Sequence, residues 1–299
     1  MLLNVVFSYN RAMQLDCFLE SFLRHIKYPD YKVAVVYHTI GNHDKGYKLL
    51  IEKYKNNSHI VFYERSDVNN YFFKILPLLF YPRNLYRYIK YKYLRKNVDN
   101  FKFLVEEIIK NSGCEILMFS TDDTVYDGDI FINDSVVDRI RKSPNKYSLR
   151  LFLGENLIKK YNAKVSIKDN KIIWNYYENQ GNGPWGGVFN VDGTVYNKQF
   201  VLETVKKLLY HMPATLESFT NTYIKRKKML KLGFAPIDSC LSNIWINRVQ
   251  VLGHHESLNI DVDYLNEKFL EGYKIKYKYD KPVTEWGTVP YDILFEKSK

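Results

Sequence analysis

Cysteine is scarce in this chain, and its few copies stand far apart. Cys17, Cys114 and Cys240 are the only three among 299 residues, and no two of them have the spacing of a metal-binding or disulfide-forming pair. A disulfide-stapled scaffold and a cysteine-based zinc site are therefore excluded. This usage favours a reducing compartment, so we expect the protein to be cytoplasmic.

Long apolar stretches are also missing. The opening apolar run ends at Phe7, short of the ~7–15-residue apolar core that follows the basic start of a signal peptide. The longest later candidate, 75–81, is far below the ~20 residues that a bilayer-spanning helix needs. The sequence predicts neither a secretory leader nor a spanning helix.

Two common phosphate-binding signatures are not found after the first predicted strand. No G-x-G-x-x-G follows the first predicted strand, and no G-x-x-x-x-G-K-[ST] occurs in the chain. The glycines of these motifs normally let the backbone approach a pyrophosphate closely. Their absence excludes the usual dinucleotide-dependent oxidoreductases and the P-loop nucleotide hydrolases.

Basic and aromatic residues, by contrast, are abundant. Lysine and arginine total 44 against 33 acidic residues, which gives a net charge of +11, and aromatic residues make up 16% of the chain. A basic excess of this size favours partners that carry phosphate, namely nucleic acid, anionic lipid or nucleotide substrates. A low-GC codon usage, which enriches lysine and tyrosine, is an alternative explanation of the same composition.

Strand-like and helix-like segments alternate over the first 65 residues. Apolar runs of strand type at 2–8, 32–38 and 59–63 are separated by segments at 11–25 and 46–55 whose apolar residues recur at helical spacing. Such alternation is typical of βαβ units on a parallel sheet.

The later chain continues this pattern less regularly. Further elements are predicted as a helix at 101–110, a buried strand at 115–119, a strand at 147–153, a hairpin over 164–174, and helices at 198–211, 216–230 and 239–251. Without a linker or a repeat, we expect one α/β domain over 1–299, with a mainly parallel sheet and helices on both of its faces. It would carry a basic, aromatic helical insertion at 67–100 and a lysine- and tyrosine-rich tail at 264–299.

Polar residues follow two of the predicted strands directly. Thr121, Asp122 and Asp123 end the fourth strand, and the segment 8–11 ends the first. Ligands of open α/β sheets bind at the carboxyl ends of strands, and adjacent carboxylates there favour a hard divalent cation such as Mg²⁺ or Mn²⁺. The alternatives are an Asx-turn at the aspartates and a helix cap at Asn10.

Several short segments, in this order, resemble those of GT-A-type nucleotide-sugar glycosyltransferases of the bacterial polysaccharide-biosynthesis branch. They are Tyr9-Asn10-Arg11, the DxD-like Thr121-Asp122-Asp123, the loop and strand at 185–196, the Pro-x-x-Leu-Glu segment at 213–217 and the segment at 247–250. The first position of the DxD-like motif is threonine rather than aspartate. The resemblance covers most of 1–280 outside the insertion.

The resemblance implies a GT-A-like fold and a hexosyltransferase-type activity that moves a sugar from a nucleotide-sugar donor to a glycan or lipid-linked glycan. It implies a divalent Mn or Mg ion, held by Asp123 and by a late histidine, His255. The donor-binding residues would be Ser8, Tyr9, Asn10, Arg11, Thr121 and Asp122. The acceptor-binding residues would be Trp185, Gly186 and Asp192.

The resemblance also indicates a general base. Glu217 opens a predicted helix, where an acidic residue deprotonates the attacking hydroxyl in inverting enzymes of this type. Asp238, expected at the start of the next helix, is the alternative base. A first-turn glutamate is also favoured by the helix dipole alone.

The segment 71–96 combines aromatic and basic side chains and interrupts the α/β pattern. It fits a peripheral contact with an anionic membrane at the inner face of the plasma membrane, a nucleic-acid contact, or a solvated helix pair. Its two prolines, Pro77 and Pro82, predict two short helices. We expect no nucleic acid as partner, since no recognised binding module is present. A nucleotidyltransferase remains the competing enzyme class, although the chain lacks the glycine- and lysine-rich phosphate loop of that class.

Overall fold

The computed structural model describes residues 1–68, 71–94, 99–132, 134–247, 256–281 and 287–297, with the backbone alone at 91–94. The strands are β1 (Leu2–Tyr9), β2 (Tyr31–His38), β3 (Ile60–Glu64), β4 (Ile116–Thr121), β5 (Thr124–Tyr126), β6 (Tyr147–Arg150), β7 (Val165–Lys168), β8 (Lys171–Asn175), β9 (Thr194–Asn197), β10 (Leu232–Pro236), β11 (Leu241–Ile244), β12 (Tyr273–Lys278), β13 (Gly287–Thr288) and β14 (Asp292–Lys297). The helices are α1 (Ala12–His25), α2 (His43–Tyr54), α3 (Tyr71–Leu79), α4 (Pro82–Leu94), α5 (Phe101–Asn111), α6 (Asp134–Lys142), α7 (Ile158–Tyr161), α8 (Lys198–Val205), α9 (Pro213–Arg226) and α10 (Val262–Leu270).

The central sheet of the described chain has the strand order β3-β2-β1-β4-β9-β6-β10-β8-β7. Only β8 and β9 run against the other strands, so the sheet is mainly parallel, as the sequence predicts. From β1 the chain moves outward through β2 to β3 and then returns past β1 to β4. Since crossovers between parallel strands are right-handed, this path assigns α1 and α2 to one face and α5 to the other.

The parallel pairing of β1 with β4 brings the ends of these two strands together. In the register of this pair Phe7 lies opposite Thr121, and the backbone amide of Asp122 donates to the carbonyl oxygen of Phe7. Both strands are almost wholly buried, since helices cover the sheet on each side. The polar residues that follow them therefore meet at one edge of the sheet.

The prediction of a helix over 239–251 is wrong. Residues Leu241–Ile244 form β11, the middle strand of a small sheet with β5 and β13. All four residues are buried, and Ser242 and Asn243 bond with the side chains of Asp127 and Thr124. These tertiary hydrogen bonds outweigh the helical spacing of the apolar residues. Positions 248–251 lie outside the described residues.

The other predicted elements lie close to those observed. The hairpin is formed by β7 and β8, whose turn places Asp169 and Asn170 at positive φ angles of 50° and 55°. The helix expected over 198–211 ends already at Val205. The tail folds into α10 and an antiparallel pair of strands, β12 and β14.

The described part of the insertion contains two short helices, α3 and α4, as the prolines predict. Pro82 is the first residue of α4, where its missing amide hydrogen costs no hydrogen bond, whereas Pro77 lies inside α3. Across the described part of the chain, none of the helices is both long and apolar enough to cross a bilayer.

Candidate functional site

A buried ion pair joins the ends of β1 and β4. The Arg11 guanidinium donates from Nη1 to Asp122 Oδ1 over 3.0 Å, and Ser8 Oγ donates to Asp122 Oδ2 over 2.7 Å. The backbone amide of Tyr9 adds a third bond, of 3.3 Å, to the same carboxylate. Burial raises the pKa of Asp122 to about 6, against the lowering effect of Arg11.

This arrangement changes the expected role of three residues. Ser8, Arg11 and Asp122 are all buried, and their polar groups bind one another. The sequence predicts that they line the donor cleft, but with Asp122 only 5% exposed they form a buried network at the ends of β1 and β4. Tyr47 completes it, because its hydroxyl bonds with Ser8 Oγ and accepts from the Arg11 amide.

Tyr9 and Asn10 lie nearer the surface at the same edge. The Tyr9 ring stacks on the imidazole of His38 at the end of β2, with centroids 5.6 Å apart and planes at 11°. Asn10 has a φ of 55°, and its Oδ1 accepts from the amide of Ile40 over 2.9 Å. Asn10 therefore ties the turn after β1 to the loop after β2 and does not cap α1, whose N-cap is Arg11.

Asp123 is more exposed than Asp122 and faces a second aspartate. Its side chain is 24% exposed, and its Oδ1 accepts a 2.6 Å hydrogen bond from Thr121 Oγ1. The same hydroxyl lies 3.2 Å from Asp192 Oδ1. Burial and the charge of Asp123 raise the pKa of Asp192 to about 7. Asp192, expected at an acceptor loop, thus lies beside the DxD-like motif.

Glu217 adds a third acidic group. It is the fifth residue of α9, partly buried, and its carboxylate accepts a hydrogen bond from the Val191 backbone. Burial, followed by the charge of Asp192, raises the pKa of Glu217 to about 8, while Arg150 lowers it. Arg150 is itself buried at the end of β6 and donates to the carbonyl oxygens of Pro184 and Gly187. These bonds hold the loop at 184–187 in place, and the charge of Arg150 offsets part of the negative charge of Asp192 and Glu217.

The oxygen atoms of Asp123 and Asp192 fit a divalent cation. Burial and then the charge of Asp123 raise the pKa of Asp192, and a bound cation would offset the repulsion between the two carboxylates. Mg²⁺ and Mn²⁺ take such oxygen ligands, and Mg²⁺ is often held by one or two carboxylates together with substrate phosphates. Within the described ranges, no cluster of three or more histidine, cysteine or acidic residues is placed to hold a metal. His255 lies outside the described residues.

Trp185 and Gly186, expected to bind the acceptor, pack inside the loop instead. Trp185 is 0% exposed, donates from Nε1 to the carbonyl of Leu157 and lies edge-on to Trp174. A Cβ on Gly186 would lie 2.3 Å from the carbonyl oxygen of Asn179. Both residues are buried within the loop. Neither therefore offers a free surface to a sugar.

Asp238 does not lie at the start of a helix. It is exposed in the turn between β10 and β11, because the segment after it is a strand. Glu217 does lie on a helix, but in the second turn of α9 rather than at the helix start that the sequence predicts, and the charge of Asp192 acts on it.

Three residues of the site escape sequence reasoning. Arg150 ends a strand that the sequence predicts to be apolar, and a charged residue in such a run indicates a position with a specific partner. Tyr47 stands on the apolar face of α2, where it is indistinguishable from a core residue. Asn243, which bonds to Thr124 and to Asp192, lies in the segment mistaken for a helix.

Neither a protein-family model nor a curated protein sequence matches this chain. Among solved structures it is similar to S. aureus TarS 1-349 in complex with UDP-GlcNAc, with 12% identity, a TM-score of 0.45 and coverage of 80% of this chain and 57% of that one. It is also similar to the mannosyltransferase PcManGT from Pyrobaculum calidifontis in complex with GDP-Man and Mn²⁺, with 12% identity, a TM-score of 0.42 and coverage of 80% and 55%.

A third similarity is to a putative glucose-1-phosphate thymidylyltransferase from Bacillus anthracis, with 9% identity, a TM-score of 0.38 and coverage of 81% of this chain and 89% of that one. The chain spans little more than half of the first two structures. All three similarities are distant, with TM-scores below 0.5. They concern the fold alone and assign no substrate or metal to this chain.

Proposed function

We propose that this protein transfers a sugar from a nucleotide-sugar donor to a glycan or lipid-linked glycan acceptor. The observation that carries the proposal is the convergence of Asp123, Asp192 and Glu217 at the carboxyl edge of the sheet, next to the buried pair of Arg11 and Asp122. Parallel α/β sheets bind their ligands at this edge.

The aromatic pair of Tyr9 and His38 supplies a flat surface at the ends of β1 and β2. We assign it to the base of the nucleotide, since an aromatic face stacks on any base. Thr121 and Asp123 then lie where the diphosphate and donor sugar would extend along the edge. A divalent Mn or Mg ion held by Asp123 and Asp192 would stabilise the negative charge of the departing diphosphate.

Glu217 is assigned as the base of an inverting transfer. Its carboxylate would take the proton of the acceptor hydroxyl while that oxygen bonds to the anomeric carbon and the bond from this carbon to the diphosphate oxygen breaks. A pKa of about 8 leaves the group mostly protonated at neutral pH. A divalent cation bound to Asp123 and Asp192 would lower this pKa, so that a larger fraction of Glu217 would be ionised and able to accept a proton.

The helices α3 and α4 carry a membrane contact in this proposal. Phe73 on α3 and Phe80 in the turn after it are 71% and 83% exposed, and the exposed basic residues Lys74, Arg83 and Lys90 lie on α3 and α4. Exposed aromatic side chains among lysines and arginines suit the headgroup region of an anionic bilayer. We therefore place the reaction at the inner face of the plasma membrane, where a lipid-linked acceptor is presented.

A binding and turnover screen tests the function. The purified protein is incubated with UDP-, GDP-, dTDP- and CMP-sugars, with nucleoside triphosphates and sugar phosphates, and with oligonucleotides, each with and without MnCl₂. Release of a free nucleotide from one nucleotide sugar, lost in Asp123→Asn, is expected. Release of pyrophosphate from a nucleoside triphosphate would assign a nucleotidyltransferase instead, and binding of oligonucleotides alone would reject both enzymes.

A further inference from the structure

A cavity lies between α4 of the insertion and α9. It has a volume of about 440 Å³, within the range of small-molecule sites. Its lining residues are Tyr81, Arg83, Asn84, Arg87, Lys207, Leu208, Phe219, Thr222, Tyr223, Arg226 and Lys227. We refer to this set as the basic cleft.

The charge of the basic cleft has one sign. Arg83 and Arg87 come from α4, Lys207 follows α8, and Arg226 and Lys227 end α9, while no aspartate or glutamate belongs to the lining. Five cationic side chains around one concave surface focus a positive potential there. An anion bound between them would relieve their mutual repulsion.

The floor of the cleft is fixed by a buried amide. Asn84 is 2% exposed, and its Nδ2 donates to the carbonyl oxygens of Leu78 and Lys207 over 3.2 and 2.9 Å. Its Oδ1 accepts from the amide of Leu209 and from Arg87 Nη1, each over 3.3 Å. The Asn84 side chain thus links the insertion to the segment that follows α8.

The two walls also touch directly. The guanidinium carbon of Arg87 lies 3.5 Å from the centre of the Phe219 ring, which is a stacked cation–π contact between α4 and α9. This contact and the bond to Asn84 hold the Arg87 guanidinium in place before any ligand binds. Preorganisation of this kind lowers the entropic cost of binding.

The basic cleft is distinct from the acidic site although both use α9. Phe219, Thr222 and Arg226 recur at helical spacing on the side of α9 that lines the cleft. Glu217 and Asn221 lie on another side, where Asn221 Oδ1 accepts from the amide of Val188 in the loop near Asp192. A ligand of one site would therefore approach α9 from a different direction than a ligand of the other.

We propose that the basic cleft binds a terminal phosphate or diphosphate group, carried either by a lipid headgroup or by a soluble phosphorylated glycan. Arginine forks match phosphate oxygens bidentately, and lysines add charge. The hydroxyls of Tyr81, Thr222 and Tyr223 supply further polar groups at the same surface. The inference extends the proposed function to an acceptor that carries phosphate, but its test needs no sugar transfer.

The test is calorimetric titration with inorganic pyrophosphate and inorganic phosphate, and flotation with phosphatidylcholine vesicles that contain phosphatidic acid. The cleft variant is Lys207→Gln/Arg226→Gln, which removes two exposed cations. The matched control is Lys159→Gln/Lys160→Gln, which removes two exposed cations from α7, outside the cleft. Loss of two charge-assisted contacts should weaken pyrophosphate binding by at least ~10-fold in the cleft variant alone.

The flotation experiment distinguishes a phosphate carried by a lipid headgroup from one carried by a soluble glycan. Vesicle binding that falls in the cleft variant and not in the control assigns a lipid headgroup, whereas a fall confined to soluble pyrophosphate assigns a soluble phosphorylated group. Equal affinities of both variants for pyrophosphate, or no binding by the wild type, would reject the site. Unchanged nucleotide-sugar binding in the cleft variant would separate this result from a failure of the proposed function.

Discussion

The guanidinium of Arg11 lies 3.0 Å from a carboxylate oxygen of Asp122 and 3.3 Å from one of Asp123. The two neighbouring aspartates nevertheless stand in different environments. Asp122 is 5% exposed and is bonded on both oxygens, whereas the Asp123 side chain is 24% exposed and faces Asp192 through Thr121. A motif that reads as two equivalent acids therefore contains one structural carboxylate and one that is accessible to a ligand.

The first prediction concerns this buried pair. Asp122→Ala leaves the Arg11 guanidinium buried without its main partner, so the free energy of unfolding should fall by ~3–5 kcal/mol. Urea denaturation of the purified variant measures the change. Asp123→Ala serves as the comparison, and an equal loss in both variants would contradict the division of roles between the two aspartates.

Asp123→Asn should abolish turnover of the nucleotide sugar and leave the melting temperature nearly unchanged. The reason is that a partly exposed carboxylate contributes little to packing but supplies charge for a cation. Turnover with added MnCl₂ and a thermal melt test both parts. Asp138→Asn, an exposed aspartate on α6, is the matched control. Full activity of Asp123→Asn in the presence of a chelator would remove the metal from the proposal.

Glu217→Gln should lower turnover by ~10²–10⁴-fold with donor binding retained, because it keeps the shape of the side chain but not its basicity. Metal-free wild-type protein, in which the pKa of Glu217 is about 8, should gain ionised base as the pH rises toward that value. An NMR titration of the glutamate carboxyl groups in metal-free protein should show this step in the wild type and lack it in the variant. Should Asp238→Asn cause the loss while Glu217→Gln does not, the base would be Asp238.

Stability should fall with rising pH because of Asp192. Its pKa is raised from 3.8 to about 7 in the folded protein. The unfolded chain therefore releases this proton first, and the folded state loses stability between these two values as the pH increases. Asp192→Asn should unfold at a higher temperature than the metal-free wild type at pH ~8, and this difference should vanish near pH ~4. A lower melting temperature of the variant at the higher pH would show that the charged form of Asp192 is not destabilised in the folded protein.

The exposed aromatic residues of the insertion should govern vesicle binding. Phe73→Ser/Phe80→Ser removes apolar groups that would enter the acyl boundary, so flotation with anionic vesicles at low salt should decrease. Added salt should weaken the wild-type association as well, because each basic residue contributes up to ~1 kcal/mol near an anionic surface. Phe131→Ser, a phenylalanine 70% exposed outside the insertion, should bind as the wild type does. Absence of wild-type flotation at low salt would reject the membrane contact.

The local order of the chain was accessible from sequence because it follows from short-range patterns. Continuous apolar runs predicted β1, β2 and β4, and helical spacing predicted α1 and α5, all within about two residues of the observed bounds. Pro82 marked the break between the two helices of the insertion. The position of Asp123 at the end of a buried strand followed from the same patterns.

Only the tertiary structure decided which of these residues meet. The approach of Asp192 and Glu217 to Asp123 depends on chain segments that are distant in sequence, and no local spacing encodes it. Burial likewise showed that Trp185 is a core residue and not a surface on which a sugar could stack. Tertiary hydrogen bonds explain why the segment at 241–244, predicted as a helix, forms the strand β11. Sequence patterns report the local preferences of the backbone, whereas contacts between distant segments determine burial, charge coupling and thus the chemistry of the site.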